Sequence, residues 1–270
     1  MNEIINSKND LEKLKDIDLF VLDMDGTIYL GDIVLEGSRE FIKFAKDNGK
    51  KIIYFTNNAS KNKELYYEKL IRLGYEADRS EIMTSGDVTI AYLNKYHKGQ
   101  SVYLVGTPEL ENAFKRAGIE LTDGTDADIV ITSFDTTLTY DKLVKACDLL
   151  RAGKIYYSTH EDINCPVENG FIPDSGAIAA LVTASTGRAP KYFGKPNLET
   201  AQMIEDYSGI SLKKTAIVGD RLYTDIALGK KHGILSILVL SGETKLDDVN
   251  DDNRADIILN GIGEIIDLVK

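Results

Sequence analysis

An α/β fold built on parallel sheets is what this sequence predicts, and three observations predict it. Short β-rich runs alternate with amphipathic helical segments along the 270 residues. Three of those runs end in polar residues suited to a phosphate or a metal. They are Asp23 and Asp25 in LFVLDMDGT, Thr56, Asn57 and Asn58 in KIIYFTNNAS, and Gly219 and Asp220 in TAIVGDRLYTD. Ligands of open parallel sheets sit at the carboxyl ends of strands, so three such ends on one edge read as a site. Between the second and third ends lie well over a hundred residues with their own alternation. A second α/β unit inserted into the first accounts for them.

Taken in order, strands are expected at 18–23, 51–56, 101–105, 128–133, 154–158, 214–218 and 234–240. Helices are expected at 37–48, 61–74, 86–96, 108–117, 140–152, 174–187, 197–208 and 222–231. The run before Asp23 is apolar without interruption, as in a strand buried on both faces. Pro196 suits the first turn of the helix that follows it. Hinges are expected at YHKGQ (96–100) and TGRAPK (186–191), both rich in Gly, Pro or charge. Residues 1–97 and 190–270 then form one domain and 98–189 the inserted one.

Composition narrows the function. Hydrophobic residues make up 43% and charged residues 28%, the profile of a soluble globular protein. A net charge of −11 argues against nucleic acid or anionic membranes as partners. Cys147 and Cys165 suggest neither a disulfide framework nor a zinc site. The opening MNEIINSKNDLEKLKD has no signal-peptide apolar core, and ILSILVL (234–240) is too short to span a bilayer. A cytoplasmic protein is expected. No Gly-x-Gly-x-x-Gly turn follows the first strand, which argues against a dinucleotide fold, and no Walker-type loop is present.

The strand-end residues carry a specific chemistry. A carboxylate beside a divalent cation can attack phosphorus, and the cation offsets repulsion from the phosphoryl oxygens. Asp23 is placed for that attack. Gly26 permits a turn that brings Asp25 to the same side, where it can protonate a leaving oxygen and then activate water. Asp220 adds an oxygen ligand of the kind Mg²⁺ prefers. Asp225 can hold a metal-bound water, cap the next helix, or do both. Thr56 and the amides after it suit phosphoryl oxygens. Lys195 in YFGKPNLET is the candidate cation.

In this order and spacing, DMDGTIY (23–29), TNN (56–58), GKP (194–196) and GDRLYTDI (219–226) resemble the haloacid dehalogenase (HAD) superfamily phosphatases. FDTTLTYDKL (134–143) and THEDINCPVENGFIPDSGA (159–177) extend the resemblance to subfamily IIA, the NagD-like and p-nitrophenylphosphatase-like enzymes. The resemblance covers nearly the whole chain. It implies a Rossmann-like HAD core with an inserted α/β cap. It also implies a Mg²⁺-dependent phosphatase of small phosphorylated metabolites, working through a phosphoaspartyl intermediate. The implied roles are nucleophile for Asp23 and general acid/base for Asp25, whose carbonyl also binds metal. Thr56 and the Asn57 amide bind the phosphoryl group, Lys195 bridges nucleophile and phosphate, Asp220 ligates Mg²⁺, and Asp225 supports its hydration. Asn58 belongs to the same substrate-binding motif.

The cap reads the leaving group, through a loop expected at 160–170 in which Asn164 and Cys165 face it, with His160 as a further donor. A homodimer through the cap is a further implication. The subfamily often has Asp where Tyr223 stands, with little catalytic effect expected from the change. A phosphotransferase or mutase on the same core, and a catalytically silent binding protein, are the alternatives. The full set of acids and the lysine argue against the second.

Overall fold

The computed structural model describes residues 6–167 and 170–270. Residues 1–5, at the start of the polar opening stretch, and 168–169, in the expected loop 160–170, lie outside the described residues. In chain order the strands are β1 (Leu19–Leu22), β2 (Tyr29–Leu30), β3 (Ile33–Val34), β4 (Lys51–Thr56), β5 (Ile82–Thr84), β6 (Val102–Val105), β7 (Ile129–Thr132), β8 (Ile155–Ser158), β9 (Asn164–Val167), β10 (Gly170–Pro173), β11 (Lys191–Tyr192), β12 (Thr215–Gly219), β13 (Leu235–Val239) and β14 (Ile257–Leu259). Two compact units result. One comprises Met1–Thr56, Glu64–Met83 and Lys195–Lys270, and the other Asn57–Lys63 and Thr84–Gly194.

The first unit is organised by a six-stranded sheet in the order β14-β13-β12-β1-β4-β5, parallel from β14 to β4. The continuous apolar runs are explained by burial on both faces: β1, β12 and β13 have no exposed residue. Strand side chains alternate between faces. Phe20, Leu22, Ile52, Tyr54, Ala216, Val218, Ile237 and Val239 therefore share one core with Leu14, Phe41, Ile42, Tyr66, Leu70 and Ile265 from helices. Ile226, Leu238, Ala255 and Ile258 form a separate cluster. Burying each large aliphatic side chain contributes about 1.5–3 kcal/mol.

The second unit carries its own sheet, β11-β8-β7-β6, with parallel pairs throughout. Val105, Val130 and Tyr156 pack there with Cys147, Leu150, Ile178 and Val182 from helices Tyr140–Arg151 and Ser175–Thr186. The α/β class with parallel sheets is thus observed. Among the described residues, no helix is long and apolar enough to cross a membrane.

Several elements depart from expectation. The segment 160–170 is not a plain loop: β9 and β10 pair antiparallel, Asn164 against Pro173 and Val167 against Gly170. Neither strand has a buried residue, so no apolar alternation announces the pair. The first and last helices, Lys8–Lys15 and Ile265–Val269, and strands β5 and β14 are too short for a periodic signal. The helix expected at 222–231 opens instead as a π-helical turn, Leu222–Ile226, before Ala227–His232.

Candidate active site

Strand register brings the polar strand ends together. Leu22 stands opposite Val218 on one side and Tyr54 on the other. The next residue out on each strand is therefore Asp23, Gly219 or Phe55, and the Asp23 amide still donates to the Val218 carbonyl at 2.8 Å. Lys195 reaches this edge from the start of its own segment. Its Nζ donates to Asp23 Oδ1 at 2.5 Å, to Asp225 Oδ1 at 2.6 Å and to the Phe55 carbonyl at 3.4 Å. The Lys195 side chain is 2% exposed, Asp225 is fully buried and Asp23 is 13% exposed, so the ammonium sits between two largely desolvated carboxylates.

Asp225 lies inside the π-helical turn, where the Ile226 amide reaches back to the Arg221 carbonyl. The position before that turn is Arg221, which makes no side-chain cap, so helix capping by Asp225 is not realised. Its carboxylate instead takes Lys195 on one oxygen and the Thr224 hydroxyl, at 3.2 Å, on the other. Asp220 accepts the Glu243 amide on Oδ2 at 2.7 Å and faces the Thr27 hydroxyl at 3.5 Å.

Two glycines make room for Asp220. A Cβ on Gly26 would stand 2.4 Å from its Oδ2, and one on Gly242 only 2.0 Å. Gly26 also has φ +91°, a left-handed conformation that L side chains rarely adopt. It opens the turn after Asp25, in which the Met24 carbonyl accepts the amides of Ile28 and Tyr29. Asp25 is exposed at that turn.

Electrostatics follow from burial. Burial pushes the Asp23 carboxyl up to about 8; Lys195 opposes the shift, and Asp225 and Asp220 reinforce it. Asp220 is pushed up to about 6, chiefly by burial and then by Asp225. Burial pulls the Lys195 ammonium down, but Asp225 and Asp23 outweigh it and hold the group above its ordinary range. Asp23, Asp220 and Asp225 each offer an oxygen within 4.8 Å of the others. With all three carboxyls ionised, the set around one ammonium carries an excess of two negative charges, the excess that a bound cation would offset. An all-oxygen set with that excess suits a hard divalent cation, and the cradle left by Gly26 and Gly242 keeps Asp220 unobstructed. These residues could hold a metal ion.

The remaining expected site residues are placed as follows. Thr56 closes β4, partly buried. Asn57 is buried in the second unit, its side-chain amide donating to Asp162 at 3.2 Å and 3.3 Å. Asn58 Oδ1 accepts the Ser60 amide and hydroxyl, an Asx turn, and its Nδ2 lies 4.0 Å from Cys165 Sγ. Asn164 is exposed on β9 with Cys165 beside it, half-buried. His160, expected as a donor to the leaving group, is fully buried, with Nε2 2.8 Å from Asp174 Oδ1 and Nδ1 3.0 Å from the Thr159 hydroxyl. It is therefore engaged internally.

Sequence reading missed the segment after β13. Ser241 donates to the Gly26 carbonyl at 2.8 Å and the Glu243 amide holds Asp220. The available signal was a fourth strand end with small polar residues, LSGET, of the same kind as the other three.

A parallel sheet with acids gathered at its strand ends is an arrangement found in a large class of hydrolases, and likeness to known proteins places the chain among them. Residues 20–120 match the family model of haloacid dehalogenase-like hydrolases, and residues 192–265 match a HAD-hydrolase-like model. An acid sugar phosphatase of Staphylococcus aureus is 34% identical over 240 residues, covering 89% of this chain and 93% of the relative. The chain belongs to the haloacid dehalogenase-like hydrolase family. Within it, the chain is NagD-like. The 4-nitrophenylphosphatase of Thermotoga maritima superimposes with a TM-score of 0.92 at 43% identity, over 96% of this chain and 99% of that one. NagD of Escherichia coli K-12 gives 0.85 at 28% identity, over 92% and 98%.

Proposed function

We propose that this protein hydrolyses phosphomonoesters of small metabolites, sugar phosphates and aryl phosphates among them, through a phosphoaspartyl intermediate on Asp23. The single observation that carries the reading is Lys195, buried between Asp23 and Asp225 beside Asp220 at the strand ends. Relatives named acid sugar phosphatase and 4-nitrophenylphosphatase support the reaction class.

In this reading the Asp23 carboxylate attacks phosphorus and the ester oxygen leaves, taking a proton from Asp25. Asp25, now ionised, accepts a proton from water. That water attacks the phosphorus of the acyl phosphate, freeing inorganic phosphate and restoring Asp23. Thr56 and the Asn57 amide hold the phosphoryl oxygens. Lys195, fixed by Asp225, sits against the nucleophile and balances charge on the transferring group. Asp23, Asp220 and the Asp25 carbonyl would hold Mg²⁺, with Asp225 supporting its hydration, and the ion would supply further charge neutralisation. Residues 98–189 act as the inserted cap, and Asn164 and Cys165 contact the leaving group.

The test is phosphate release from a panel of phosphorylated metabolites and p-nitrophenyl phosphate with Mg²⁺, comparing the protein with Asp23→Asn. Release by the unmodified protein alone is expected. Equal release by Asp23→Asn, or none from any substrate, overturns the proposal.

A further inference from the structure

The Asp220 carboxylate is held by a residue whose side chain is tied back to the segment that carries Asp220. The Glu243 amide donates to Asp220 Oδ2 at 2.7 Å. The carboxylate of the same Glu243 pairs with Arg221 Nε at 3.1 Å and accepts the Tyr223 hydroxyl at 2.9 Å and 3.2 Å. Arg221 and Tyr223 stand one and three residues after Asp220, so the contacts close a ring: Asp220, the short run to Arg221 and Tyr223, the Glu243 side chain, the Glu243 amide and Asp220 again. Two further bonds steady the segment: Ser241 to the Gly26 carbonyl, and the Thr244 amide to the Asp220 carbonyl at 3.3 Å.

We propose that Glu243, clamped by Arg221 and Tyr223, is a positioning residue that presents Asp220 to a divalent cation. The physical reason is geometric. An amide that fixes one carboxylate oxygen leaves the other to be offered to an ion, and it does so only if its own backbone is fixed. Among the described residues no strand pairs with Glu243; its side chain adds to the flanking Ser241 and Thr244 bonds in fixing that amide. Tyr223 is half-exposed and Glu243 37% exposed, so each contact alone contributes little to stability. Their effect is expected in metal affinity, where partners that orient a ligand count more.

The inference rests on the reading of Asp220 as a metal ligand, and the experiment separates the two. Mg²⁺ binding is measured by titration calorimetry, and by the Mg²⁺-dependent shift in melting temperature, for the unmodified protein, Asp220→Asn, Glu243→Ala, Glu243→Gln and Tyr223→Phe. Glu243→Ala is expected to weaken Mg²⁺ about 10-fold, the low end for outer partners of a metal ligand. Tyr223→Phe should weaken it less. Glu243→Gln, which keeps an acceptor for Tyr223 but loses the charge facing Arg221, should fall between. At saturating Mg²⁺ the kcat of all three should stay within about twofold, because none touches the reacting atoms. A Glu243→Ala protein that melts lower yet binds Mg²⁺ like the unmodified protein overturns the clamp. Should that variant not fold, unaltered Kd in both Glu243→Gln and Tyr223→Phe overturns it equally. Absence of Mg²⁺ binding by the unmodified protein, or unaltered binding by Asp220→Asn, overturns the metal assignment itself.

Discussion

Lys195 and Asp225 form a buried ion pair, Nζ to Oδ1 at 2.6 Å, and through it the ammonium is aimed at Asp23, 2.5 Å away. Removing the cation leaves two desolvated carboxylates facing each other. Lys195→Met should lose about 10²–10³-fold in kcat, the size expected for one electrostatic stabiliser. It should also lose about 3–5 kcal/mol of stability, as when one partner of a buried pair is deleted. Steady-state kinetics with p-nitrophenyl phosphate and urea unfolding measure both. Retention of half the activity would sink the assigned role.

The raised carboxyls make metal-free stability depend on pH. With Asp23 at about 8 and Asp220 at about 6, the folded state binds more protons than the unfolded chain above the ordinary carboxyl value of 3.8. Stability therefore falls as pH rises through that window, up to about 8. Lys195 stays charged throughout and adds no slope there. Urea midpoints in EDTA should decline from pH 5 to pH 8, and added Mg²⁺ should recover most at pH 8. A midpoint that rises with pH in EDTA contradicts the electrostatic account.

Gly242 is required by space. A methyl group there would lie 2.0 Å from Asp220 Oδ2 and 2.7 Å from its Cβ, so the carboxylate must turn away and the backbone beneath it must shift. Gly242→Ala is expected to fold, by circular dichroism, yet to lose about 10-fold or more in Mg²⁺ affinity. Calorimetric titration checks this, and unaltered binding would show that the Asp220 carboxylate is free to move.

Cys165 lies on an exposed hairpin, 4.0 Å from the Asn58 side chain. Replacing it with Phe should reorder preference among phosphorylated metabolites while leaving cleavage of p-nitrophenyl phosphate within about 10-fold, since one pocket contact changes selectivity by roughly that factor. Ranking the same substrate panel for both proteins measures it. An unchanged order removes the hairpin from substrate recognition.

Much of the candidate site's placement was legible because parallel strands in register carry their last residues to one edge. Asp23, Gly219 and Thr56 follow apolar runs plain in the sequence, and Leu22 facing both Val218 and Tyr54 does the rest. The environment of Asp225 was not legible. A π-helical turn advances the chain by one residue against the 3.6-residue period, so the side chain meets Lys195 instead of capping a helix. The part played by Glu243 escaped because it acts through its amide, which every non-proline residue has. His160 and Asp174 meet across fourteen residues around a hairpin with no apolar alternation, which no periodicity could signal.

Thr56 is the last residue of its segment in the first unit, and Lys195 is the first residue after the chain returns from the second. In sequence, two of the changeovers between units therefore fall at groups proposed to handle phosphate. Anyone exchanging the inserted segment between homologous proteins to trade one substrate range for another would have to splice after Met83 and before Lys195, because Glu64–Met83 belongs to the first unit and supplies Tyr66 and Leu70 to its core. A junction displaced back to β4, or outward past Pro196, would import a foreign Thr56 or Lys195 along with the new insert.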